Sequence, residues 1–98
     1  MIAVSAARWA GWLGEACPYC GEAMIATHRR KPTRDHLTPS SRGGSEDAHN
    51  TRIVCSDCNQ DRGDRTLWEW AAALRLGGDA RAARIARLVA AAYGEAAE

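Results

Sequence analysis

The stretches CPYC (residues 17–20) and CSDC (residues 55–58) hold all four cysteines of the chain, as two Cys-x-x-Cys hooks with 34 residues between them. Where thiols stay reduced, paired hooks of this kind read as one tetrahedral zinc site, with Cys17, Cys20, Cys55 and Cys58 as ligands. Two disulfides in a small secreted domain are the rival reading. The beginning of the chain, MIAVSAARWAGW, argues against secretion: it has Arg8 in its middle, no basic start and no long apolar run. It reads as neither a signal peptide nor a membrane span, so a cytoplasmic protein is expected.

The rest of the composition explains why a staple is needed. The 98 residues suffice for a single domain, 1–98, and 46% are apolar, but much of that fraction is alanine and there is no phenylalanine. A core this thin is rarely stable alone. A structural zinc contributes on the order of 10 kcal/mol to the folding of such a domain, more than the core can.

Working outward from the hooks, SAARWAGWLGE (5–15) suits a short helix, and AMIAT (23–27) a short strand. PTRDHL (32–37) reads as a second extended segment, and Pro39 to Asn50 as a loop rich in Ser, Gly and Asp. TRIVC (51–55) is a β-branched strand that delivers the chain to the second hook. Ser56 or Asp57 is expected to cap the helix that follows, which Gly63 ends or bends. Thr66 is placed to cap LWEWAAALRL, closed by Gly77 and Gly78. Asp79 is placed to cap ARAARIARLVAAAY, with Ile85, Leu88, Val89 and Ala92 on one face and Arg81, Arg84 and Arg87 on a solvated one. Trp68 and Trp70, two residues apart, cannot share a helix face. One is expected in the core, the other against the N-terminal tryptophans.

Charge is uneven although the net is only +1. HRRKPTR (28–34) carries four basic residues and no acid, with Arg42 further on. Such a stripe can hold a phosphate backbone or be a solvated turn. The segment TRDHLTPSSRGG (33–44) adds a carboxylate and an imidazole side by side, Asp35 and His36. The hooks, converging on one metal, bring that strand end close to the helix carrying Asn59 and Arg62. Asn59 is turned about 100° from Cys58, so it faces away from the zinc while being pinned by it. His28 and His49 read as solvated, and Asp61 and Asp64 as capping or solvated acids.

Taken together, CPYCG, TRDHLTPSSRGG, the Asn50 that closes the loop and IVCSDCNQDRGD resemble the HNH endonuclease family in its four-cysteine form. The resemblance spans residues 17–65. It implies a small α+β fold, a ββα-metal core with a structural four-cysteine zinc site, flanked by N- and C-terminal helices, residues 66–93 being a helical extension. It further implies that His36 is the general base, that Asp35 and Asn59 bind a catalytic Mg²⁺ or Mn²⁺, that Asn50 holds the loop and orients His36, and that Arg62 braces the phosphate. The implied substrate is DNA, met by Arg29, Arg30, Lys31, Arg34 and Arg42. In a regular strand Asp35 and His36 point to opposite faces, so serving one phosphate requires the strand to end or twist there.

Two other functions remain open at this point. A zinc-stapled DNA-binding module on the same fold needs none of Asp35, His36 and Asn59, and an iron electron carrier would use the thiolates alone. Small proteins of this type resemble nucleases of phages, mobile elements and restriction systems. Oligomeric state is open, with Trp68, Leu74, Ile85 and Leu88 available for a dimer face. No partner in a membrane is expected.

Overall fold

Two antiparallel pairings and one sharp helix start organise the chain. The computed structural model describes residues 2–3, 10–27, 29–38, 40–46 and 50–93. Strand β1 (Ile2–Ala3) pairs with β2 (Pro32–His36), which pairs with β3 (Thr51–Cys55), giving a three-stranded sheet in that order. In the β2–β3 register Pro32 lies opposite Cys55, Asp35 opposite Arg52 and His36 opposite Thr51. Helix α1 (Ser56–Arg62) begins on the residue after β3, so the second hook straddles the strand–helix junction. Helices α2 (Leu67–Leu76) and α3 (Arg81–Tyr93) pack against each other behind it. The small α+β fold with a ββα core is thus present, and among the described residues no helix is long and apolar enough to cross a membrane.

The core is formed where the hooks meet the helices: Tyr19, Met24, Val54, Leu67, Trp70 and Ile85 are nearly or fully buried. Trp70 is the core tryptophan, while Trp68 is exposed; of the N-terminal tryptophans expected beside it, Trp12 is exposed too and Trp9 lies outside the described residues. Leu74 and Ile85 are buried within the protomer, so they are not available for the dimer face that the sequence offered.

Local chemistry explains most of the boundaries. Thr66 and Glu69 form a reciprocal capping box at α2: the Thr66 hydroxyl accepts from the Glu69 N–H at 3.1 Å, and the Glu69 carboxylate from the Thr66 N–H at 2.8 Å. Asp79 accepts from the Arg81 N–H at 2.8 Å at the start of α3. Helix α1 departs from expectation. Its N-cap is Cys55, without a side-chain cap, and neither Ser56 nor Asp57 fills that role. Its first N–H groups donate instead to main-chain carbonyls, Ser56 to Lys31 at 2.9 Å and Asp57 to Arg29 at 2.7 Å. The basic segment before β2 therefore does the capping, because the register that sets Pro32 opposite Cys55 carries it alongside the helix start.

The strand expected at 23–27 is replaced by a tight hook. Ala16 and Ala23 form an isolated bridge, Met24 donates to the Glu15 carbonyl and Cys17 to that of Glu22. Further along, Ile25 donates to the Arg30 carbonyl and Thr27 accepts from the Arg30 N–H, a tight turn in place of a sheet ladder. Of the N-terminal helix expected at 5–15, Ala10–Trp12 is a single 3-10 turn, and residues 5–9, like His28, Pro39 and His49, lie outside the described residues.

Candidate active site

The four cysteines converge. Their Sγ atoms all lie within 4.8 Å of one another, no two are joined by a disulfide, and the Cys20–Cys55 separation is 3.9 Å. Four sulfurs at 2.3 Å around a tetrahedral zinc stand about 3.8 Å apart, so the donor set and spacing suit zinc. Main-chain N–H groups support the sulfurs: those of Tyr19 and Cys55 donate to Cys17 Sγ at 3.4 and 3.3 Å. Hydrogen bonds from the Cys55 and Cys58 thiols hold Cys17 far below the usual thiol range. The same bonds push Cys55 up to about 12 and Cys58 well above its usual value, so the charge of the bare set rests on Cys17.

The strand β2 then distributes its side chains by the ordinary period of two. Thr33 and Asp35 face inward and are buried; Arg34 and His36 face outward. Inward, the Asp35 carboxylate is held by the Tyr19 hydroxyl and by Arg62 Nη1 at 2.5 Å. Arg62, 1% exposed, also donates to the carbonyls of His36 (2.6 Å), Leu37 (2.5 Å) and Arg65 (2.8 Å). Its guanidinium is committed to the end of β2 and points into the protein. Asn59, buried beside it, donates through Nδ2 to Thr33 Oγ1 at 3.0 Å and to the Arg34 carbonyl at 3.2 Å. Burial, then the charge of Asp35, pushes the Tyr19 phenol well above its usual value of 10.0, so Tyr19 remains the donor.

Outward, His36 Nε2 lies 2.6 Å from Glu46 Oε2, and Arg34 Nη1 lies 3.5 Å from the other oxygen of the same carboxylate. The hydrogen bond to His36, with Arg34 adding to it, holds the Glu46 carboxyl below its usual value. The strand is regular up to His36, where it ends, so Asp35 and His36 sit on opposite faces and no twist precedes that end.

Asn50 closes the loop between β2 and β3. Its Oδ1 accepts from the Thr38 N–H at 2.8 Å, and its Nδ2 donates to the carbonyls of Thr38 (3.1 Å) and Ser45 (2.7 Å). Gly44 is required at this closure: a Cβ there would stand 1.7 Å from the Thr38 carbonyl oxygen. Gly43 supplies the left-handed φ of 88° that turns the chain into it.

The basic side chains are spread over the surface, most of them against an acid: Arg29 with Asp57 (3.4 Å), Arg30 with Glu22 (3.8 Å), Arg34 with Glu46 and Arg42 with Glu69 (3.1 Å). Lys31 contributes its carbonyl to α1. Exposed pairs of this kind are worth about 0–1 kcal/mol each and exchange readily for other anions. Asp61, expected to cap or solvate its helix, accepts instead from Trp70 Nε1 at 3.1 Å and Arg81 Nη2 at 2.9 Å.

Tyr19 and Glu46 were not expected among these residues. The position of Tyr19 between two ligands of one hook was the available sign, since a hook aims its middle residues at a fixed place. Glu46 had no sign beyond its charge.

A sheet hairpin joined to a helix, stapled by four cysteines and ending in an Asp-His pair, defines a ββα-type nuclease fold. The HNH endonuclease family matches residues 17–70, more than half of the chain, and the chain belongs to that family. No curated protein and no solved structure matches it.

Proposed function

We propose that this chain is an endonuclease that hydrolyses DNA phosphodiester bonds, with His36 as general base, a structural zinc on the four cysteines and Mg²⁺ or Mn²⁺ as its catalytic cofactor. The observation that carries the reading is the outward His36 at the end of β2, its Nε2 held by Glu46 at 2.6 Å. An imidazole whose Nε2–H donates to a carboxylate keeps the lone pair on Nδ1. Nδ1 then takes a proton from water as the water oxygen bonds to phosphorus and the P–O3′ bond breaks. Arg34, on the same face two residues away, and Arg29, Arg30, Lys31 and Arg42 across the surface would meet phosphates in place of their acids, with Asn50 holding the loop that frames His36.

The cation would supply stabilisation of charge on the phosphate and on the leaving oxygen. Asp35 and Asn59, the residues that the resemblance assigns to it, are hard oxygen donors of the right type. As they stand they do not fit it, because Arg62 already neutralises the Asp35 carboxylate from 2.5 Å. The same ion pair favours a second reading, a zinc-stapled DNA-binding module without cleavage.

Nicking of supercoiled plasmid separates the two. Zinc-loaded wild type with Mg²⁺ or Mn²⁺ is expected to nick, and folded His36→Ala to lose at least a hundredfold, the low end for a general base. DNA binding without nicking by either protein selects the binding module, and equal nicking by both removes His36 from the chemistry.

A further inference from the structure

Helix α3 lies beyond the segment that defines the family, yet its first residue reaches the metal centre. Arg81 Nη1 stands 3.6 Å from Cys58 Sγ. The rest of the guanidinium is fixed from three directions. Nη2 donates to Asp61 Oδ2 on α1 at 2.9 Å and to Asp79 Oδ2 at 2.8 Å, while Nε donates to Asp79 Oδ1 at 3.0 Å. Its carbon sits 5.2 Å from the ring centroid of Trp70 on α2. A cation in the first turn of a helix opposes the helix dipole, so helix formation alone gives no reason for arginine here. The planar fork, which meets a sulfur and two carboxylates at once, does.

Charge supplies the purpose. Four thiolates on a divalent ion leave a centre of net charge −2, and N–H donors drawn to the sulfurs spread that charge. Among the described residues, Cys17 has two main-chain donors, and Arg81 brings a charged donor to Cys58. The cleft beside the cysteines is open and is lined by Cys20, Cys55, Cys58 and Arg81 among others, so the sulfurs face an approach that this side chain partly covers.

We propose that Arg81 is an outer partner of the zinc centre, whose N–H···S bond to Cys58 tightens the hold on the metal and ties the C-terminal helix pair to it. The inference rests on the zinc reading of the four cysteines, and it makes Arg81 a positioning residue, with no part in the hydrolysis.

The test uses the full chain loaded with Co²⁺, whose sulfur-to-metal charge-transfer bands report the electron density on the thiolates, together with zinc transfer to a competing chelator. Arg81→Met keeps the stem against Trp70 and removes the donors. It is expected to move the charge-transfer band to lower energy and to weaken zinc about tenfold, the lower end for loss of an outer-shell partner. Arg81→Lys, which keeps the charge without the fork, is expected to fall between, and it serves if Arg81→Met does not fold. An unmoved band and unchanged zinc affinity in a folded variant overturn the proposal, even if that variant melts earlier, because that pattern is the mark of packing alone. Wild type that binds neither Co²⁺ nor Zn²⁺ through sulfur would instead remove the zinc reading itself.

Discussion

The two faces of strand β2 behave as different materials. On the inward face Thr33 and Asp35 are buried, and Asp35 is locked between Tyr19 from the first hook and Arg62 from α1. On the outward face Arg34 and His36 meet a carboxylate, Glu46, whose side chain is 58% exposed. Alternation along a single five-residue strand thus separates a buried, locked face from an outward polar one. Changing one inward side chain leaves a buried partner unpaired, whereas the outward ones contact groups that solvent can replace. The lesson is that a small domain with a thin core can hold an outward-facing histidine in place by spending its buried polar groups one residue away.

Removing the metal should break both faces together. If zinc on the four cysteines joins the hooks, stripping it with a chelator costs on the order of 10 kcal/mol, and helical circular dichroism should collapse along with nicking. A chain that keeps its spectrum after complete metal removal would transfer the stabilising role to the core.

The next largest effect should fall on the inward face alone. Arg62→Met leaves the buried Asp35 without its counter-charge and is expected to cost about 3–5 kcal/mol in urea melts of the zinc-loaded protein. Adding Asp35→Leu should recover much of that loss, since breaking a buried pair costs more than replacing both members. A single variant that loses under 1 kcal/mol would mean that Asp35 finds another partner, or a cation.

Tyr19→Phe sharpens the same face more gently. It removes one donor from a buried carboxylate and should cost about 1–3 kcal/mol. The phenol also sets a pH dependence. Its folded value is raised above 10.0, chiefly by burial, so the folded chain holds that proton more tightly than the unfolded one. The stabilisation is full below pH 10 and is lost as pH rises beyond it. The difference in phenolate absorbance between wild type and Tyr19→Phe should therefore appear only above pH 10, together with unfolding. A phenolate that forms near pH 10 in the folded protein would mean that Tyr19 is open to solvent.

Much of this division could be read from the residues themselves. The hooks located the metal centre, Thr66 and Asp79 marked helix starts through their side-chain oxygens, and the β-branched run at 51–55 gave its strand. The period of two also implied opposite faces for Asp35 and His36. What escaped reading was pairing at a distance. Arg62 and Arg81 look alike as exposed helical cations in the sequence, and only packing reveals that one is buried against Asp35 and the other reaches Cys58. The cap of α1 escaped for a related reason: it comes from main-chain carbonyls of Arg29 and Lys31, which carry no side-chain signature.

The smallest structural effect, and the sharpest test of the outward face, lies at Glu46. Its pairing with His36 and Arg34 is exposed, so Glu46→Ala should change stability by less than about 1 kcal/mol. If the carboxylate fixes the proton on Nε2 and leaves Nδ1 to act as base, the same variant should lower kcat/KM about tenfold, the worth of one ordinary hydrogen bond. His36→Ala should lose far more, and the double variant should lose no more than His36→Ala, because Glu46 acts only through the imidazole. A rise in activity in Glu46→Ala would reverse its role: the carboxylate would then be occupying the place of the phosphate, against the same Arg34 and His36 that the substrate must reach. Kinetics of the single and double variants at fixed ionic strength decide between the two, since both leave the inward face, and with it the fold, untouched.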